Sequence, residues 1–222
     1  MVIERFDSPL KKANALKGKK VLITAGPTWV AIDSVRVISN IATGQTGILL
    51  AEEFSRLKAK VTLFLGPSGN HGPVKGVKLI RFCFFEELRK LIKRELLSEN
   101  YDFIIHSAAV ADFRPEVTIK GKLSSDKKQE LKLVPLPKII REIRRFSPRS
   151  KLVMFKLEPH LALKGLLISS RKAMSKAKAD LIVGNSLRPY RCFLMDKKGA
   201  TIKIRNRKEL AEKLVKVLAY SL

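Results

Sequence analysis

The residues best suited to chemistry fall in four short segments, each directly after an apolar run. The first is VRVISNIATGQTG, from Val35 to Gly47, set between strand-like KKVLITAG and helix-like ILLAEEFSRL. Gly44 and Gly47 flank the expected helix start, and Thr43 and Thr46 supply hydroxyls. Free amide hydrogens at a helix N-terminus favour phosphate. The segment therefore reads either as a phosphate cradle or as an ordinary capped helix behind a long loop that begins at Gly26. In the second segment, HSAAVADF, small residues Ser107, Ala108, Ala109 and Ala111 let a flat ligand approach the backbone. Asp112 follows as an acceptor for a base or hydroxyl, as support for a metal, or as a helix cap. The third, KGKLSSDKK, puts lysines on a loop that either folds over a polyphosphate or is a solvated charge run. The fourth pairs FKLE with DLIVGNS, where Glu158 and Asn185 are polar contacts or turn residues.

Other chemistries find no support. There is no G-x-G-x-x-G and no G-x-x-x-x-G-K-[ST],. No Tyr is followed four residues later by Lys, which counts against a short-chain reductase. His106 lies inside an apolar strand and reads as a core residue, while His71 and His160 sit in turns. No serine or cysteine nucleophile is placed beside a base, and no residues show metal-ligand spacing, so no metal site is assigned. Cys83 and Cys192 are far apart and read as reduced residues of a cytoplasmic protein,.

The chain has 222 residues, 45% of them hydrophobic, enough to build a core,. No apolar run approaches the roughly 18 residues of a membrane span, and residues 1–20 show no secretory signal. Lys and Arg total 45 against 20 Asp and Glu, a formal charge of +25. Such a surplus attracts anions, either nucleic acid or a phosphorylated substrate. The basic residues are spread along the chain with a mild concentration in KIIREIRRFSPRSK, which disfavours nucleic acid.

The elements that must carry these segments alternate. Residues 1–18 read as an N-terminal arm and 19–222 as one α/β domain. VLITAG, KVTLFLG, KLIRF, DFIIHSAAV, KLVMFKLE and DLIVGNS read as strands; ELKLVPLP reads as extended. TGILLAEEFSRL, FEELRKLIKRELLSEN, KIIREIRRF, ALKGLLISSRKAMSKAKA and the C-terminal RKELAEKLVKVLAYSL read as helices,. RCFLMDKKGATIKI reads as an antiparallel hairpin, and residues 113–134 as a long polar connection. The sum is a Rossmann-like three-layer α/β fold with a mainly parallel central sheet, a mobile loop and the hairpin. Ligands of such sheets bind beyond the carboxyl ends of the strands.

Taken in order, TAGPTWVAIDSVRVISNIATGQTG, AAVADFRP, KGKLSSDKK, MFKLEP and DLIVGN resemble the motifs of phosphopantothenoylcysteine synthetase, the ligase of coenzyme A biosynthesis. The resemblance covers nearly all of the chain from Lys19. Where the family usually has a basic residue after SG, this chain has TGQTG; where it has VAN, this chain has VGN. The resemblance implies joining of 4′-phosphopantothenate to L-cysteine through an acyl-nucleotide made from CTP or ATP, with Mg2+. It implies a homodimer, with the hairpin or the 113–134 segment exchanged between subunits, and in many organisms a decarboxylase partner.

By position, Asn40 resembles the residue that contacts the acyl-nucleotide and the pantothenate arm. Lys122 resembles the loop lysine that reaches phosphate and assists the second step. Gly26, Thr43, Gly44, Ala108 and Asp112, with Phe155, Lys156 and Lys172, would line the nucleotide site, and Asn185 the substrate wall. The competing readings are a basic nucleic-acid-binding α/β domain, an NAD(P) reductase and a degenerate synthetase that only binds.

Overall fold

The computed structural model describes residues 15–69, 71–187 and 189–220. An eight-stranded sheet forms its centre. In chain order its strands are β1 (Lys20–Ala25), β4 (Lys60–Leu65), β5 (Val77–Arg81), β6 (Phe103–His106), β9 (Lys151–Leu157), β10 (Leu181–Leu187), β11 (Tyr190–Asp196) and β12 (Thr201–Ile204). They lie side by side as β12-β11-β10-β9-β6-β1-β4-β5. The pairs from β10 to β5 are parallel. β11 and β12 are added antiparallel at one edge. The hairpin expected over residues 191–204 thus extends its own sheet, with Cys192, Phe193, Leu194 and Met195 buried.

Among the described residues five helices cover the two faces: α1 (Gln45–Arg56), α2 (Phe85–Ser98), α3 (Ile139–Phe146), α4 (Leu163–Ala177) and α5 (Arg207–Tyr220). Alternation along β1 explains the layering. Val21, Ile23 and Ala25 face α1 and α5 with Ile48, Phe54, Leu214 and Leu218. Leu22 faces α2, α3 and α4 with Leu88, Ile92, Ile143 and Leu166. Each fully buried side chain of this size contributes about 1.5–3 kcal/mol, which outweighs weak local signals. α1 shows this, because it starts without a side-chain cap or an acidic first turn and is seated by burial of Ile48, Leu50, Ala51 and Phe54.

Residues 1–14 of the expected arm lie outside the described residues. Of the rest, Leu16 is fully buried in the α1–α5 layer, and the Gly18 amide donates to Lys58 O at 2.9 Å. Two small ribbons form outside the large sheet. One pairs β2 (Trp29–Ala31) with β3 (Val37–Ser39), and the other pairs β7 (Phe113–Pro115) with β8 (Leu133–Pro135). Of their strands only β8 falls in a stretch expected to be extended, ELKLVPLP.

Candidate active site at the carboxyl edge of the sheet

Strands β1, β4, β6 and β9 all end at one edge, and the motif segments leave from it. Gly26 follows β1 with φ +78°, a conformation L side chains rarely adopt,. A Cβ there would meet the backbone of Gly66, past the end of β4, at 3.0 Å. The Gly26 carbonyl accepts from the Ala109 amide at 2.9 Å, and Ala109 O accepts from the Thr28 amide at 3.3 Å. Thr28 Oγ1 accepts from the Ala111 amide at 2.9 Å. The loop after β1 is thereby stitched to the small-residue run after β6. The small residues of AAVAD admit this close backbone contact.

Asn40 extends the same stitch. Its Nδ2 donates to Ala109 O at 3.0 Å and to Val110 O at 3.1 Å. Both amide hydrogens of the side chain are used, which leaves Oδ1 as its free acceptor.

The loop then enters α1 at Gly44, left-handed at φ +71°. The Thr43 hydroxyl accepts from the Gln45 amide at a long 3.4 Å. By contrast, at α2 the Glu87 carboxylate accepts from the amides of Cys83 and Phe84 at 2.7 and 3.1 Å. The start of α2 thus already carries the carboxylates of Glu86 and Glu87, while α1 has no acidic residue in its first turn and presents amide hydrogens suited to an anion,. Gly47 brings α1 against β1, since a Cβ there would fall 2.3 Å from Ala25 Cβ and 3.2 Å from Ser107 Oγ.

The lysine loop is held by a residue that sequence reasoning did not single out. Asp33 is buried. Its carboxylate accepts from the amides of Leu123 at 3.0 Å, Val35 at 2.8 Å and Arg36 at 2.7 Å, and from Arg36 Nη1 at 2.6 Å. The Leu123 amide, followed by those of Val35 and Arg36 and by the Arg36 guanidinium, holds the carboxyl far below its usual range,. Arg36 Nη1 also donates to Leu123 O at 3.1 Å. Ser34 exchanges hydrogen bonds with Gly121, and the Ile119 amide donates to Ile32 O. Five hydrogen bonds therefore dock residues 119–123 on the β1–α1 loop. Lys122 stands exposed between two docked neighbours. The start of the segment expected as a flap is tied down. The only signal for this was the ID-x-V-R pattern itself.

Asp112 is exposed and ion-paired with Lys138, while Ala108, four residues earlier in the chain, is half-buried. At the neighbouring strand ends, Lys156 Nζ lies 3.0 Å from Glu158, and Ser169 Oγ donates to Glu158 at 2.8 Å. Lys156 and then Ser169 hold that carboxyl below its usual range. Asn185 O accepts from the Glu158 amide at 2.9 Å, so Lys156, Glu158 and Asn185 share one corner. Phe155 turns the other way and packs on the α1–α5 layer. Lys172 is exposed on α4, one turn beyond Ser169. Gly184, where the family pattern has Ala, faces Phe193: a Cβ would lie 2.4 Å from that ring.

His106 is no catalytic base in this arrangement. Its Nδ1 is 2.7 Å from Thr24 Oγ1 across β1 and β6, and burial pushes its pKa down to about 4. Among the described residues no three His, Cys, Asp or Glu side chains gather to hold a metal. No described helix is long and apolar enough to cross a membrane.

A family model described as DNA/pantothenate metabolism flavoprotein C-terminal domain matches residues 16–220. The chain is 36% identical over 176 residues to the Coenzyme A biosynthesis bifunctional protein CoaBC of Thermococcus kodakarensis, covering 79% of this chain and 43% of that protein. The chain thus spans less than half the length of this curated relative. The DNA/pantothenate metabolism flavoprotein of Streptococcus pneumoniae superposes with TM-score 0.81 at 27% identity, over 91% of this chain and all of that one. A Cab2 mutant in complex with phosphopantothenate-cysteine superposes with TM-score 0.74 at 19% identity, covering 95% and 88%. At that identity the likeness is one of fold.

Proposed function

The chain belongs to the DNA/pantothenate metabolism flavoprotein C-terminal domain family, and on that premise we infer that it is a phosphopantothenate–cysteine ligase of coenzyme A biosynthesis. One observation carries this reading. The open start of α1, the Asn40 stitch and the docked Lys122 loop converge on the edge where parallel sheets bind ligands,.

In the inferred reaction the carboxylate of 4′-phosphopantothenate attacks the α-phosphate of CTP or ATP. Pyrophosphate leaves and an acyl-nucleotide forms. The cysteine amine then attacks the acyl carbon, loses a proton and displaces the nucleoside monophosphate, which leaves an amide. The protein's task is to align two anions and to stabilise charge developing on phosphorus. The amides of α1 beyond Gly44, with Thr43, receive phosphate oxygens. Asn40 offers Oδ1 to the substrates and keeps the two loops in register. Lys122 reaches the phosphates from its docked loop. Gly26, Ala108 and Asp112 border the nucleotide on one side. Lys156 and Asn185 border it on the other, with Phe155 behind them and Lys172 further along α4. Magnesium, when bound, neutralises phosphate charge.

A homodimer belongs to this reading. Phe113, Val117, Leu131 and Leu133 expose large apolar surfaces around the β7–β8 ribbon, which favours that ribbon over residues 191–204 as the element that meets a second copy. A cytoplasmic setting and a decarboxylase partner are also part of it. The relative from Thermococcus kodakarensis is named as bifunctional. The test is pyrophosphate release from CTP or ATP in the presence of 4′-phosphopantothenate, cysteine and magnesium. Release is expected with one of the two; silence with both would end the proposal.

A further inference from the structure

A separate concentration of positive charge lies at the opposite edge of the sheet, where β9 and β10 begin. A cleft of about 780 Å³ opens there between the C-terminal ends of α3 and α4. That volume is in the ordinary range for small-molecule sites, roughly 300–1,000 Å³. Its walls carry Arg141, Arg145, Arg149, Lys151, Lys176 and Lys178. None of these six side chains has a carboxylate within ion-pair distance among the described residues. All six are exposed.

Two further cations on the cleft are already used. Arg144 pairs with Asp180 at 2.6 Å and donates to the carbonyls of Pro148 and Ser150. Lys197, from the β11–β12 turn, pairs with the same Asp180 at 2.6 Å. Asp180 in turn accepts from the Leu152 amide at 2.8 Å. This group fixes the floor, and the six unpaired cations stand around it. Four of them come from the basic stretch KIIREIRRFSPRSK and two, Lys176 and Lys178, from the end of α4, so the fold adds a second segment's charge to that of the first.

Helix C-termini favour cations, but that effect acts only on the last turn and is served by one or two charges. Six uncompensated charges around one hollow concentrate anions much more strongly. None of the lining residues is aromatic. The neighbouring ring of Phe146 already carries the Arg145 guanidinium 4.7 Å from its centroid, so base stacking, which supports single-stranded nucleic-acid binding, has no open platform in the cleft. We propose that this cleft binds an oligophosphate chain, at a site separate from the carboxyl edge and read through its charge alone. The chain is either a free inorganic oligophosphate or the tail of a nucleotide.

The test is calorimetric titration of the full chain with sodium tripolyphosphate at two salt concentrations. Saturable binding that weakens with salt is expected. Arg149→Glu with Lys176→Glu should weaken it about tenfold or more, since charge-assisted contacts are among the strong ones. Arg149→Gln with Lys176→Gln should give a smaller loss. Lys90→Glu with Lys93→Glu, the same charge change on the exposed face of α2, should leave it nearly intact. So should Lys122→Gln. Pyrophosphate release at the carboxyl edge should survive all the cleft variants, which separates this site from the ligase reading.

CTP binding that weakens together with tripolyphosphate binding under the cleft reversals would indicate a nucleotide tail, and CTP binding untouched by them a free chain. Equal weakening by the cleft and α2 reversals would overturn the site in favour of a general field. Loss through Lys122→Gln alone, or no saturable binding, would overturn it as well. Tighter binding of an oligothymidylate through the same cleft residues would make the face a nucleic-acid surface and overturn the oligophosphate assignment.

Discussion

Asp33 and Leu123 are ninety positions apart, yet the carboxylate of one accepts the backbone amide of the other at 3.0 Å. This contact joins the phosphate-side loop to the lysine loop. Asp33→Asn keeps the shape but removes the charge that three amides and a guanidinium converge on. Faster hydrogen exchange at residues 119–123 and a drop in turnover of about tenfold are expected, on the scale of one lost charge-assisted hydrogen bond. Unchanged exchange at Leu123 would show that the loop is held by something else. Because its folded pKa is depressed, the stability Asp33 contributes is present above its unfolded pKa and is lost only as pH falls through the folded one,. Docking of the loop should therefore persist in mildly acidic buffer.

Lys122 and Asn40 should separate the two chemical steps. Lys122→Gln is expected to slow amide formation while pyrophosphate release continues. Asn40→Asp replaces a double donor with a carboxylate facing the carbonyls of Ala109 and Val110. It should lower both steps, by about a hundredfold if both donor contacts and the alignment they hold are lost. Stopped-flow detection of pyrophosphate beside a steady-state assay of the amide product tells the two variants apart.

Gly47→Ala places a methyl 2.3 Å from Ala25 Cβ. Overpacking of that kind costs about 1–3 kcal/mol. The start of α1 should also move away from β1, so on the ligase reading a rise in KM for nucleotide should accompany the lower urea midpoint. Gly69→Ala, where a Cβ would meet nothing within 4 Å, is the matched control and should alter neither.

His106 gives the chain a pH signature. Its pKa is about 4 when folded and about 6.5 when unfolded. The unfolded chain therefore takes up a proton first, and stability falls as pH drops from about 6.5 towards 4. The loss has an upper limit of about 3 kcal/mol, from 1.36 kcal/mol per unit, reduced by the partial exposure of the ring. Urea titrations between pH 7.5 and 4.5 should show this slope for the native chain and a flatter one for His106→Gln.

Much of this was legible in the residues alone. The apolar runs around Val21, Val61, Phe103 and Leu152 announce the parallel strands, and the spacing of Leu88, Ile92 and Leu96 announces α2. What stayed hidden is contact between distant segments. Asp33 looks like any turn aspartate until Leu123 is brought beside it. β2–β3 and β7–β8 are three-residue strands, too short to carry a period. VGN looked like a departure until Phe193 was found against Gly184. Lys176 and Lys178 gave no sign of meeting Arg141, because sequence distance conceals which strand beginnings are neighbours.

The pairing of α1 with α5 has a consequence for synthesis. Ile48 and Phe54 share their layer with Leu214 and Leu218, and 150 residues, 57 to 206, lie between the two helices. A ribosome-bound chain that already displays every motif of the carboxyl edge has yet to receive the cover that seats α1. The amide mouth after Gly44 takes its final position only once the last described helix has emerged, so an unfinished chain is expected to lack affinity for its nucleotide.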